Sequence, residues 1–231
     1  MVTLLKLPKR LERVPVTELI AALGKADAQH EPVMLTGGEG VFCDGMSFTE
    51  VLRPEHSEQD LRAALQLIAE LFARLLRHSA PSLALVDGTA IGGGLGLAAA
   101  CDVVIATPRA RFALPEALVG LSPAIIRPAL LTRLTPQQLR LLLFTGYSRS
   151  ATESVALGLV DQLVEPEDLE RAGNACLRQV RRAQTATVSV VRCAEHGNLD
   201  RELEEGIGHT LKAILNADVR RNLRAAEEAF L

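Results

Sequence analysis

The segment Asp87-Gly88-Thr89-Ala90-Ile91-Gly92-Gly93-Gly94-Leu95-Gly96-Leu97-Ala98-Ala99-Ala100-Cys101-Asp102 most narrows what this chain can become. An apolar run, Leu83–Val86, leads into it, and a small-residue run of helical character leaves it. Glycines at the start of a helix let another group come close to the backbone, and they leave N–H groups without partners. The helix dipole adds partial positive charge at the same end. Such a site holds a phosphate or a developing oxyanion. Tight packing of a helix on a strand also calls for glycine, so the cluster alone leaves both roles open.

The chain around it has 231 residues, within the range of one large domain or two small ones, and is 48% hydrophobic. That suffices for a sizeable core. With no Trp, one Tyr and six Phe, the core must be aliphatic and Ala-rich. The net charge is −3 and the charges are interspersed. This excludes a nucleic-acid footprint and a polybasic membrane patch. No uncharged apolar run reaches about eighteen residues, so no membrane span is expected. Charge begins at Lys6 and no apolar leader precedes it, which predicts a cytoplasmic protein. Cys43, Cys101, Cys176 and Cys193 lack C-x-x-C spacing and read as reduced, buried thiols. No His lies near Cys43 in sequence, which weighs against a nucleophilic thiol there. His30, His56, His78, His196 and His209 are dispersed, so no metal site is expected.

The coarse pattern is strands alternating with helices, then helices only. Strands are expected at Leu4–Leu7, Pro32–Thr36, Leu83–Val86, Val103–Ala106, Arg111–Ala113 and Leu159–Val164. A helix over Val16–Leu23 is expected to end at Gly24. Ser57-x-x-Asp60 resembles a capping box, and Leu61, Leu65, Ile68, Phe72 and Leu75 mark one face of the long helix after it. Pro115 starts a helical turn. Thr135-Pro136 opens a helix through about Phe144. From Pro166 onward the chain reads as helices, broken near Gly197-Asn198 and Asn216. The expectation is an α/β core over residues 1–164 with a helical region over 165–231.

Two further segments carry chemistry. Thr36-Gly37-Gly38-Glu39-Gly40-Val41-Phe42-Cys43-Asp44-Gly45-Met46-Ser47-Phe48 follows a strand and offers the N–H of Met46. If it converges with the N–H of Gly93 on one oxygen, the pair makes an oxyanion hole. Phe112-Ala113-Leu114-Pro115-Glu116-Ala117-Leu118-Val119-Gly120 puts a carboxylate in apolar company, where its proton affinity rises. Glu116 also fits as a first-turn acid favoured by a helix dipole.

The order F-C-x-G-M, V-D-G-x-x-x-G-G-G, C-D-x-x-I-A, F-x-x-P-E and G-L-V-D resembles the crotonase (enoyl-CoA hydratase/isomerase) superfamily, closely from about Pro32 to Val164. The resemblance implies a spiral of ββα repeats with two roughly perpendicular sheets and a helical C-terminal trimerisation region, assembled as a homotrimer or hexamer. It implies acyl-thioester substrates, with the carbonyl oxygen held by the N–H groups of Met46 and Gly93. No cofactor is implied, because the substrate itself carries CoA or a carrier-protein phosphopantetheine. Gly92, Gly94, Cys43, Leu121 and Arg127, in or beside the same motifs, are the expected substrate contacts. Arg127 and Tyr147 are expected to orient a substrate carboxylate or leaving hydroxyl.

Hydratases of this family usually carry two glutamates. Glu116 matches one, and Gly96 stands where the other would be. A single carboxylate suffices to move a proton between C2 and C4, the task of the enoyl isomerases. It also serves a dehydration in which another group or water handles the leaving hydroxyl. Phe42–Phe48, the stretch Glu116 to Pro128 and Gly96 together resemble the hydratase-like dehydratases of polyketide β-branching, whose acyl group rides on a carrier protein. Ser47 departs from that pattern, where Asp is expected. Gly40 stands where many CoA-using relatives carry a phosphate-binding Lys, which favours a carrier-protein tether. Lys212 and Arg220-Arg221 are alternative phosphate contacts or a solvated helix face. His209 is the one histidine considered for the pocket, since C-terminal helices reach the active site in some relatives. Three functions stand as expectations: dehydration or hydration of a β-hydroxyacyl or enoyl thioester, double-bond isomerisation by a single glutamate, and a non-catalytic acyl-thioester binder. Intact Glu116 argues against the last.

Overall fold

The chain builds two sheets at once by sending successive strands alternately to each. The computed structural model describes residues 2–38, 40–182, 190–192 and 194–230. After Thr3–Lys6 (β1) and the helix Arg13–Ala28 (α1), three strand pairs follow. They are Val33–Thr36 (β2) with Val41–Cys43 (β3), Ser82–Val86 (β4) with Thr89–Ile91 (β5), and Val103–Ala106 (β6) with Arg111–Ala113 (β7). The helices Phe48–Val51 (α2) and Glu58–Leu76 (α3) follow the first pair, and Gly93–Ala99 (α4) follows the second. A 3-10 turn, Glu116–Val119, follows the third. The first strand of each pair joins a five-stranded parallel sheet in the order β1-β2-β4-β6-β9, where β9 is Gln162–Leu163. The second joins a four-stranded sheet in the order β3-β5-β7-β8, where Arg149–Ser150 (β8) closes the edge antiparallel to β7. This alternation produces the spiral of strand pairs feeding two sheets that the sequence leads one to expect. The register aligns Val33 with Ser82 and Leu83 with Val103, so all five β4 residues are buried. A continuous apolar run is what a strand covered on both faces requires.

Helix α3 shows how the sequence pattern becomes packing. Ser57 accepts from the Asp60 N–H while the Asp60 carboxylate accepts from the Ser57 N–H. Such a cap is worth about 1 kcal/mol. Leu61, Leu65, Ile68, Phe72 and Leu75 are all buried, each contributing roughly 1.5–3 kcal/mol relative to exposure. Thr135 and Gln138 form the same reciprocal cap at the start of Pro136–Thr145 (α6), which is preceded by Arg127–Leu131 (α5) and followed by Ala151–Ala156 (α7). Leu169–Val180 (α8) covers the larger sheet, and Leu199–Leu215 (α9) lies along α3. Ala217–Phe230 (α10) is joined to α9 through Asn216.

Several boundaries differ from the sequence expectation. Helix α1 runs through Gly24 to Ala28, because its buried face of Val16, Leu19, Ile20 and Leu23 continues to Ala26. Tertiary burial there outweighs the roughly 1 kcal/mol cost of a helical glycine. The strand expected over Leu159–Val164 is reduced to β9, since Leu159 and Val160 donate to the Ser154 carbonyl that ends α7. Strands β3, β5 and β8 form in stretches whose glycines and turn residues predict no strand. Cys43 and Cys101 are free and buried, and burial pushes both thiols up to about 12. Cys43 is thus a poor nucleophile at neutral pH. Cys176 is free and only partly buried, while Cys193 lies outside the described residues. Among the described residues no helix is long and apolar enough to cross a membrane, and no group of three His, Cys, Asp or Glu side chains is placed to hold a metal ion.

Candidate active site

Two short bridges aim the backbone of the loop after β3. The Leu11 N–H donates to the Gly45 carbonyl at 2.7 Å, and the Ser47 N–H donates to the Leu11 carbonyl at 3.2 Å. These bonds consume the groups on either side of Met46 and leave the Met46 N–H without a backbone partner among the described residues. Gly93 is the first residue of α4, so its N–H has no intrahelical acceptor. A Cβ built on Gly93 would stand 3.8 Å from the Met46 nitrogen and 3.4 Å from the Gly45 Cα. The two backbone donors therefore border one small space. Ser47 caps α2 by accepting from the Glu50 N–H. Serine and aspartate are equivalent caps, so the departure from Asp at this position keeps the loop in place.

Glu116 faces the same space. Gly92 has φ 54° and ψ −115°, with its N–H bound to the Ala113 carbonyl at 3.0 Å. A Cβ there would come within 2.5 Å of Glu116 Oε1, so the carboxylate rests directly over the glycine. The residue keeps some exposed surface, yet Oε2 is buried and has no hydrogen-bond partner. Burial in apolar surroundings pushes the Glu116 carboxyl up to about 7, opposed only by its own backbone N–H. A carboxyl that exchanges its proton near neutrality is poised for acid–base work.

These groups line a cavity of about 270 Å³. Its walls include Met46, Gly92, Gly93, Glu116 and Leu121, and are otherwise mostly aliphatic, with Leu65, Ile68, Ile125 and Ile126. Five expected residues thus meet in one place. Others do not. Cys43 is fully buried behind the loop and does not line the cavity. Gly94 is absent from the walls too: a Cβ there would overlap the Cys43 carbonyl oxygen at 1.8 Å, so its glycine serves packing of α4 on β3. Arg127 is exposed at the start of α5, away from the cavity. Tyr147 is exposed and lies under the Arg149 guanidinium, 4.9 Å from ring centroid to cation. Lys212 is exposed, and Arg221 pairs with Asp218. His209 is exposed as well, whereas its neighbour Thr210 is a cavity wall. One residue along a helix turns the side chain by about 100°, which separates the two. Arg10, Asp44, Thr210 and Ala226 were not anticipated. Thr210 alone left a trace: it falls on the apolar face of Leu199, Leu203, Gly206, Ile207, Leu211 and Ile214.

Gly96 is closed off from any second acid. A Cβ there would meet Ile126 Cβ at 2.9 Å and Phe72 Cε1 at 3.0 Å. Phe72 is fully buried, so it has no room to yield. We expect Gly96→Glu to lose at least about 3 kcal/mol, combining overpacking with an unpaired buried charge. Chemical denaturation checks this; an unchanged midpoint would show that the site tolerates a second carboxylate.

The sequence profile of the enoyl-CoA hydratase/isomerase family matches residues 6–227. The (E)-benzylidenesuccinyl-CoA hydratase of Thauera aromatica is 30% identical over 204 residues, covering 87% of this chain and 78% of the relative. A Mycobacterium avium enoyl-CoA hydratase structure superposes with a TM-score of 0.83 at 25% identity, covering 99% of this chain and 91% of that one. A Bacillus subtilis structure named for a polyketide biosynthesis enoyl-CoA hydratase superposes with a TM-score of 0.83 at 21% identity, covering 98% and 93%.

Proposed function

Since this chain belongs to the enoyl-CoA hydratase/isomerase family, we propose that it interconverts a β-hydroxyacyl and an enoyl thioester, with Glu116 as its single acid–base group. The observation that carries this reading is the buried Glu116 carboxyl, pushed up to about 7, over Gly92 and beside the N–H groups of Met46 and Gly93, which have no partner among the described residues. The thioester oxygen sits between those two donors. Ionised Glu116 takes the proton from C2, and the charge passes to the oxygen as an enolate that the donors stabilise. The enolate electrons then form the C2–C3 double bond as the C3–O bond breaks. Glu116 returns its proton to the departing oxygen, releasing water and regenerating the carboxylate. Hydration is the same path in reverse.

Isomerisation is the second reading, favoured by the filled space at Gly96 and the aliphatic walls. There Glu116 moves a proton between C2 and C4, and no water takes part.

We assign the substrate a carrier-protein tether of the polyketide type in preference to free CoA. Gly40 supports this: its φ of 76° is a left-handed conformation that a phosphate-binding Lys adopts only with strain. Residues 165–231 are proposed to mediate a trimer or hexamer. Exposed Val190, Val191 and Leu215, within that region, are apolar surface that association would cover. Light scattering that gives a stable monomer at micromolar concentration overturns the assembly.

Incubating the purified protein with matched CoA and carrier-protein thioesters, read by intact mass, tests the reaction. Loss or gain of about 18 Da, one water, is expected. Unchanged mass with a shifted double bond selects isomerisation. No change on any substrate, with binding retained, selects a non-catalytic binder.

A further inference from the structure

Thr210 carries a hydroxyl that the fold leaves without a partner. It lies on α9, only 5% exposed, and its Oγ1 is buried with no hydrogen bond among the described residues. A threonine inside a helix commonly returns its hydroxyl to the carbonyl four residues back. Thr17 does so to Arg13 at 2.8 Å, and Thr145 to Leu141 at 2.7 Å. Thr210 does not. Valine would fill the same volume without burying a polar atom, and an unmade hydrogen bond costs more than the made one contributes. Such groups call for an explanation. Here the residue belongs to the wall of the Glu116 cavity, among Leu65, Ile68, Ile125 and Ile126.

We propose that the Thr210 hydroxyl recognises a neutral oxygen, a hydroxyl or a carbonyl, on the acyl chain beyond the reacting carbons. The inference rests on the acyl-thioester reading above. A carboxylate at that place is disfavoured by the charges on the page. Among the described residues, the one cation of the cavity walls, Arg10, is already paired with Glu227 at 2.8 Å, and the other ionisable wall residues are Asp44 and Glu116. An anion there would be buried without a counter-charge. A neutral oxygen needs one donor; Oγ1 has no open surface as it stands, so the second χ1 rotamer open to a helical threonine must bring the hydroxyl to the cavity. A site that hydrogen-bonds a substrate hydroxyl rejects the analogue lacking it far more strongly than an apolar wall distinguishes chain lengths.

The test uses the full chain carrying Glu116→Gln, so that binding is read without turnover. The probes are acyl-pantetheine thioesters of graded length, each paired with its terminally hydroxylated counterpart, and calorimetry gives the affinities. At one length the hydroxylated member is expected to bind roughly 10- to 100-fold more tightly. Adding Thr210→Val abolishes that preference, and Thr210→Ser restores it. Equal binding of both members at every length, or a preference that survives Thr210→Val, overturns the role of Thr210 while leaving the thioester reading intact. Failure of every probe to bind overturns the thioester reading, and this inference with it.

Discussion

Glu116→Gln is expected to lower turnover by about 10²-fold or more while leaving acyl-thioester affinity within a few-fold of the parent. Gln keeps the shape of the side chain over Gly92 but accepts no proton. The same substitution has a second signature in stability. The Glu116 carboxyl stands at about 7 in the folded chain against an ordinary 4.5. Between those two values the folded state holds the proton that the unfolded state has released. Stability therefore falls as pH rises through this window, and the deficit is complete above about 7. Gln removes it, giving a gain of up to about 3 kcal/mol at pH 8 and little change at pH 4. Thermal denaturation of both proteins across this range measures the effect. A variant with near parental turnover would reassign the base, and a pH-independent stability difference would place the Glu116 carboxyl in water.

Gly93→Val is expected to abolish measurable turnover, a loss on the order of 10³-fold, and to weaken acyl-thioester binding as well. Its first side-chain atom would stand 3.1 Å from Leu11 Cδ1 and 3.8 Å from the Met46 nitrogen. The thioester oxygen must come within about 2.7–3.1 Å of both donors, so the added carbons occupy its path. The contrast with Glu116→Gln separates holding the oxygen from moving the proton. Circular dichroism establishes that the variant is folded. A folded Gly93→Val protein with parental turnover would reduce the glycine triplet to a packing device and refute the proposed chemistry.

The glycine run shows why the two roles were inseparable beforehand. Gly92 and Gly93 face the cavity, while Gly94 and Gly96 accommodate Cys43, Phe72 and Ile126. Four glycines within five positions look alike in sequence, because glycine records only that a side chain is excluded. What excludes it, a ligand path or a neighbouring atom, lies on another element.

Elements fixed by local chemistry were legible from the residues themselves. The caps Ser57–Asp60 and Thr135–Gln138, the apolar face of α3, and the runs that became β4, β6 and β7 each carry their cause within a few positions. So do the loops that bear Met46, Gly93 and Glu116. Strands β3, β5 and β8 carry too little pattern of their own, since pairing with distant neighbours makes them strands, while the Leu159–Val164 run was legible as a strand but is trimmed to β9 by the turn that ends α7. Tertiary structure alone decided which side chains close the cavity. It faced Thr210 inward and His209 outward, left Arg127 at the surface, and filled the space beside Gly96 with Phe72 and Ile126. The raised proton affinity of Glu116 follows from the same enclosure. Sequence spacing sets what a residue can present, but desolvation is a property of everything packed around it.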